Sequence, residues 1–259
     1  GNISTRLDDK RLLTTPKSVP KGFMTPDMMV IVNYEGEKLS GDRDPSSELP
    51  MHLEVYRNRP DVNAVVHAHP PIATGFAVAG IPLTKAVLAE DITTLGSIPI
   101  AEYGTPSTAE LPAAVRKYIK AHDGLLLANH GALAIAGDVM SAYYRMETIE
   151  HFAKISLVAH TLGRENLLSR DEVARLQGLR GMYGIASPAP ICTDDSMPAG
   201  GAQLDCQVVQ APDSGDRLVP RNISAPPVAP GLSTSPDGEI RLTYRELTAL
   251  IEDALRALK

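Results

Sequence analysis

The chain of 259 residues contains no tryptophan, three phenylalanines and only two cysteines. Aromatic residues make up 4% of it, too few for a platform that stacks nucleic-acid bases. There is no excess of positive charge: the formal net charge is −6, so electrostatics argue against a nucleic-acid or anionic-membrane partner. Cys192 and Cys206 stand in a proline-rich stretch, which indicates neither a disulfide framework nor a cysteine zinc site. No apolar run reaches the roughly 18 residues that a membrane span needs. The opening residues "GNISTR" show neither the pattern of a signal peptide nor an initiator methionine. The expectation is a chain cut short at its start that works in a reducing cytoplasm.

What is present is the composition of a globular protein, 43% hydrophobic and 22% charged. That composition changes after about Tyr183. Nine of the 21 prolines fall between Ser187 and Pro236, together with Gly and Ser clusters and no aromatic residue. Such a segment buries too little apolar surface to offset its ordering entropy. The chain therefore divides into a domain over 1–187, a Pro/Gly/Ser-rich linker over 188–242 and a tail over 243–259. The tail opens with a capping-box pair, Thr243 and Glu246, and continues with Tyr244, Leu247, Leu250, Ile251, Ala254, Leu255 and Leu258 at helical spacing. It reads as an amphipathic helix that either folds back on its own domain or docks on a partner.

The first 187 residues alternate strand and helix patterns. Strands are expected at 28–33, 64–69 and 97–103, with a broken β-region over 124–137. Helices are expected from Ser46–Ser47 onward, from a Ser107/Glu110 capping box, over 138–163 and from Ser169 towards Leu179. This predicts one α/β domain of three layers, α/β/α.

The chemistry concentrates in "VNAVVHAHPP", Val62 to Pro71. Side chains at i and i+2 of a strand share a face, with Cα atoms roughly 6.5 Å apart. His67 and His69 can thus converge on one ion. The two prolines cannot donate to a sheet ladder and place the pair at the sheet rim. The turn after Asn129 can present His130 from another part of the sheet. Three neutral imidazoles suit Zn²⁺ with one position left open. H-x-H by itself does not separate a ligand pair from two satisfied strand histidines. Two other metal folds that use H-x-H fit poorly, because the acid or third histidine they need shortly after the pair is absent. His52, His122, His151 and His160 read as helix positions with structural or solvated roles, although His52 lies one turn after Glu48. A second constellation, "DPSSELPMH", opens a helix with two hydroxyls and free N–H groups suited to phosphate. "GNIS" and "TTPKSVP" add amide, hydroxyl and ammonium donors.

In this order, "GNIS", "TTPKSVP", "DPSSE", "DVNAVVHAHP", "IAEYGTPSTAEL", "LLLANHG" and "GMYG" resemble the class II aldolase/adducin-like family, and its fuculose-phosphate aldolase branch most closely. The resemblance covers residues 1 to about 185. It implies a central, mainly antiparallel sheet between helices. It also implies metal ligation by His67, His69 and His130, with Glu48 as acid/base group and additional ligand. The phosphate site would use Gly1, Asn2, Lys17, Ser18, Ser46 and Ser47, with a turn at Gly1–Asn2. Tyr103 would act as a proton donor across a subunit border, and Tyr183 would close the site. The chain departs from the family at Lys17–Ser18, where Thr–Gly is usual, and in lacking the helix that precedes Gly1.

The function so implied is cleavage of a ketose 1-phosphate, such as L-fuculose 1-phosphate, to dihydroxyacetone phosphate and an aldehyde. One Zn²⁺ per subunit, or another divalent cation, would stabilise an enediolate. The same chemistry serves a pentulose-phosphate 4-epimerase, a dehydratase and a decarboxylase. A zinc-binding scaffold that works through its tail helix is the non-enzymatic alternative. The family further implies a homotetramer. A helix on a Pro/Gly/Ser tether resembles peptides that carry enzymes into bacterial microcompartments, so residues 243–259 are expected to meet a shell protein.

Overall fold

The computed structural model describes residues 1–183 and Ile185. The expected linker and tail helix lie outside the described residues. Eight strands form one sheet: β1 (Asn2–Arg6), β2 (Leu12–Thr14), β3 (Val30–Val32), β4 (Lys38–Ser40), β5 (Ala64–Ala68), β6 (Ile100–Ala101), β7 (Gly124–Leu127) and β8 (Gly131–Ala136). Their spatial order is β4-β3-β2-β1-β5-β8-β7-β6, and every pairing is antiparallel except β6 with β7.

Alternation along the central strands sends opposite residues to two cores. Leu133 and Ile135 of β8, Val65 of β5 and Leu125 of β7 face one layer. That layer holds α1 (Leu49–Asn58) and α4 (Glu110–Arg116). Ala132, Ala134 and Ala136 face the other, where α2 (Pro71–Ala79) and α5 (Val139–Thr161) lie. The alanine row lets α5 run close over the sheet, with Ile149, Phe152 and Ala153 buried against it. Two further helices, α3 (Ala89–Thr94) and α6 (Arg170–Leu179), close a small satellite core around Ile92 and Val173. This is the expected three-layer α/β/α arrangement with a mainly antiparallel sheet.

One buried carboxylate is neutralised in place. Asp123, whose side chain is wholly buried, meets Arg59 at 2.8 Å and Arg145 at 2.9 Å.

Several local expectations need correction. The strand expected over 97–103 shrinks to β6, because Ile98 exchanges backbone hydrogen bonds with Leu83 in an isolated bridge instead. The Ser107/Glu110 capping box does not form. Ser107 is left-handed at φ 65°, Ala109 caps α4, and Glu110 accepts from the Thr105 amide at 2.9 Å. Pro70 and Pro71 end β5 as expected, but Pro71 also starts α2 with its φ already set for a helix. At α6 the capping box does form, between Ser169 and Glu172.

Candidate metal centre and acid/base site

β5 delivers His67, and His69 follows directly after it. The tight turn between β7 and β8 delivers His130. Asn129 makes that turn possible by adopting φ 54°, a region asparagine tolerates. Gly131 then begins β8 hard against β5. A Cβ there would lie 2.5 Å from the Ala68 carbonyl oxygen and 2.6 Å from Cδ2 of His69. The glycine is needed for close approach, since its own φ is unremarkable.

The three rings converge. Their centroids stand 4.8, 4.8 and 5.0 Å apart, and one nitrogen from each lies within 4.8 Å of the others. His67 Nδ1 is 2.8 Å from the Ala132 carbonyl, which can only accept. The ring proton therefore sits on Nδ1, and the Nε2 lone pair turns to the cluster. His67 Nε2 and His69 Nε2 are 3.0 Å apart. Tetrahedral nitrogen ligands about 2.0–2.1 Å from a Zn²⁺ stand only slightly farther apart than this. Burial pulls the pKa of His67 down to about 3, against the opposing pull of the Glu48 charge, and lowers that of His69. Convergent imidazoles with one tautomer already fixed are the donor set a divalent cation takes.

Glu48 faces this trio from the start of α1. Its Oε1 is 3.0 Å from His130 Nε2 and its Oε2 is 3.4 Å from His67 Nε2. Oε2 also accepts from Asn2 Nδ2 at 2.5 Å. Burial alone would raise the Glu48 pKa. The hydrogen bonds from His130 and from the Asn2 amide outweigh it and bring the carboxyl down to about 2.

The expected anion-binding segments also meet. Pro16 and Pro45 form an antiparallel bridge, and the Ser46 amide donates to the Thr15 carbonyl at 3.1 Å. This sets Lys17 and Ser18 beside Ser46 and Ser47. Ser18 takes φ 57°. Ser46 is buried and its hydroxyl accepts from the Glu48 amide at 3.3 Å, while Ser47 is exposed. The helix start offers fewer open donors than expected. Leu49 and Met51 donate to Ser46 and Glu48 carbonyls, and Pro50 has no N–H. Lys17 pairs with Asp44 at 2.8 Å on the surface. Lys21, passed over in the sequence, donates to the Val19 carbonyl at 3.0 Å and meets no carboxylate among the described residues.

Gly1 and Asn2 form no turn. Asn2 is in β1, paired with His67, and Gly1 lies against the His67 carbonyl. The Asn2 amide is engaged internally, its Oδ1 2.6 Å from His52 Nε2. Sequence reading left His52, Ser4 and Tyr56 outside the site. The only signal was the spacing of Glu48, His52 and Tyr56 along one helical stripe.

Among the described residues Tyr103 and Tyr183 make no hydrogen bond or ring contact with the cluster. Tyr103 follows β6 and is 58% exposed, and Tyr183 follows α6 and is 64% exposed. Neither hydroxyl has a hydrogen-bond partner among the described residues. The loop after Tyr103 is nonetheless pinned: a Cβ on Gly104 would lie 2.5 Å from the Leu111 amide nitrogen, so the loop lies tight against the first turn of α4.

The three-layer fold carries an imidazole trio with a facing carboxylate, and a sequence profile described as the Class II Aldolase and Adducin N-terminal domain covers residues 1–157. The chain belongs to that family. It is 36% identical over 179 residues to a 5-deoxy-D-ribulose 1-phosphate aldolase of Bacillus thuringiensis, covering 68% of this chain and 83% of that protein. It is 32% identical over 187 residues to the 3-oxo-tetronate 4-phosphate decarboxylase of Escherichia coli K12, covering 68% and 84%. A solved L-fuculose 1-phosphate aldolase superposes with a TM-score of 0.64 at 32% identity, covering 68% of this chain and 84% of that one. Among the described residues no helix is long and apolar enough to cross a membrane.

Proposed function

We propose that the protein is a metal-dependent aldehyde-lyase that cleaves a ketose 1-phosphate to dihydroxyacetone phosphate and an aldehyde. The observation that carries this reading is Glu48, held within 3.4 Å of two of three converging imidazoles. His67, His69 and His130 would hold a divalent cation, Zn²⁺ by donor type, with Glu48 within reach as a further ligand. When bound, that cation supplies a Lewis acid for charge developing on the substrate's carbonyl and adjacent hydroxyl oxygens.

The protein's own groups move the protons. In cleavage, the bond between the carbon next to the carbonyl and the carbon that becomes the aldehyde breaks. Its electron pair stays on the former carbon. Tyr103 of a neighbouring subunit takes the proton from the hydroxyl on the departing carbon. Glu48, having first taken up a proton from water as substrate binds, then delivers that proton to the carbon left behind, and the two groups exchange roles in condensation. Ser46, Ser47 and the Lys17–Ser18 turn offer hydroxyl and ammonium donors to the phosphate, whereas the Asn2 amide is taken up by Glu48 and His52. Tyr183 covers the site. On this reading the enzyme is a homotetramer with sites at subunit borders, which the exposed position of Tyr103 leaves it free to serve.

A second reading, decarboxylation of a phosphorylated keto acid, is favoured by the likeness to the tetronate-phosphate enzyme. The test is metal analysis of the purified protein, then a panel of ketose 1-phosphates and 3-oxo acid phosphates with assays for aldehyde and carbon dioxide. Aldehyde release supports the first reading, carbon dioxide the second. A metal-loaded protein inert on both panels would leave the scaffold reading. The amphipathic pattern of residues 243–259 supports a docking helix for a shell protein. Deleting it should preserve turnover and abolish co-purification with shells.

A further inference from the structure

β1 and α1 interlock through polar side chains. Asn2 and Ser4 are two apart on a strand, and His52 and Tyr56 are four apart on a helix, so each pair presents one face. The four residues are 5%, 1%, 1% and 3% exposed. Ser4 Oγ lies 2.7 Å from His52 Nδ1 and 2.9 Å from the Tyr56 hydroxyl. His52 Nε2 lies 2.6 Å from Asn2 Oδ1, and Asn2 Nδ2 lies 2.5 Å from Glu48 Oε2.

With His52 neutral, only one proton arrangement satisfies every link. The ionised Glu48 accepts, so Asn2 must turn its NH₂ group to it. That leaves Asn2 Oδ1, an acceptor, facing His52, whose Nε2 must then carry the proton. A neutral imidazole has one N–H, so Nδ1 accepts. Ser4 must donate to it, and the serine oxygen accepts in turn from Tyr56. Burial lowers the His52 pKa to about 4 and so keeps the ring neutral, although the Glu48 charge opposes this.

We infer that His52, with Ser4 and Tyr56 behind it, is a positioning residue that fixes the orientation of the Asn2 amide and thereby the Glu48 carboxylate. The inference rests on the acid/base reading of Glu48. His52 is buried behind Asn2 and acts only through it. Without the Nε2 donor the Asn2 amide is free to flip, presenting its oxygen to a carboxylate. A misplaced acid/base group costs on the order of 10–100-fold in the rate of the chemical step.

Three measurements on the full-length, metal-loaded protein test this. His52→Leu removes both ring nitrogens at similar volume, whereas His52→Gln restores an amide N–H where Nε2–H stands. For His52→Leu we expect kcat to fall about 10–100-fold, with KM and metal content near wild type. His52→Gln should recover most of that loss. Full turnover in His52→Leu, or equal impairment of both variants, would overturn the inference. If His52→Leu fails to fold, Ser4→Ala replaces it; it should lower kcat in the same direction, and an unchanged kcat would count against the relay. Independently of any substrate, ¹⁵N-histidine spectra of the wild type should show His52 protonated on Nε2 and bare at Nδ1. The opposite tautomer refutes the chain of bonds even if no substrate is ever found. Wild-type inertness with the expected tautomer would instead indict the aldolase reading.

Discussion

Replacing Gly131 by alanine should damage the metal centre without touching a ligand. The added Cβ would stand 2.5 Å from the Ala68 carbonyl oxygen, 2.6 Å from His69 Cδ2 and 3.3 Å from His67 Cε1. Carbon atoms in ordinary contact keep about 3.5–4.0 Å, so roughly an ångström must be found. Ala68 is strand backbone, paired with Ala132 across β5 and β8, and yields only if the two strands part. Overpacking of this kind costs about 1–3 kcal/mol. The softer response is rotation of the His69 ring away from the cluster. Losing the support of one ligand's orientation lowers metal affinity by about 10–100-fold. Competition with a chromophoric chelator measures the affinity, and urea denaturation of the metal-free protein measures the stability. Wild-type values in both would refute the steric argument. Lost stability with intact affinity would show that the strands part and that the ring is not displaced.

His67→Ala or His130→Ala should abolish turnover and lower metal content together, by elemental analysis against the wild type; full metal with full turnover would remove that residue from the site. A mixture of Glu48→Gln and Tyr103→Phe subunits, refolded together, should regain part of the activity each parent lacks, because only a site shared between subunits can be assembled intact. Recovery no greater than either parent would place Tyr103 outside the partner's site. Stability should also report His52. Its folded pKa of about 4 lies below the unfolded value, so its contribution is complete above about pH 6.5 and disappears as pH falls towards 4. Denaturation curves across that window should show the wild type losing roughly 3 kcal/mol more than His52→Gln.

Much of the fold was readable because it is written in local pattern. β5, the β7–β8 region, α5 and α6 carry strong local pattern or caps, and they appear within a residue or two of expectation. The elements that escaped are short or need distant partners. β2 and β4 have three residues each, and β1 reads "NISTR", with no alternation to betray a strand. Their existence depends on pairing with segments far along the chain. The expected strand over 97–103 failed for the converse reason, since Leu83 captured Ile98.

The sequence by itself determined the membership of the family and the inventory of the site: two histidines at strand spacing, a third beside a glycine, and an acid after two serines. Local chemistry suffices for that, because spacing of two along a strand decides which side chains share a face. Only the tertiary structure decided that β8 lies close enough to β5 to require Gly131, and that β1 brings Asn2 and Ser4 against α1. It also decided that the Ala132 carbonyl sets the tautomer of His67. Those facts depend on distances between segments some fifty or more residues apart, and no window along the chain contains them.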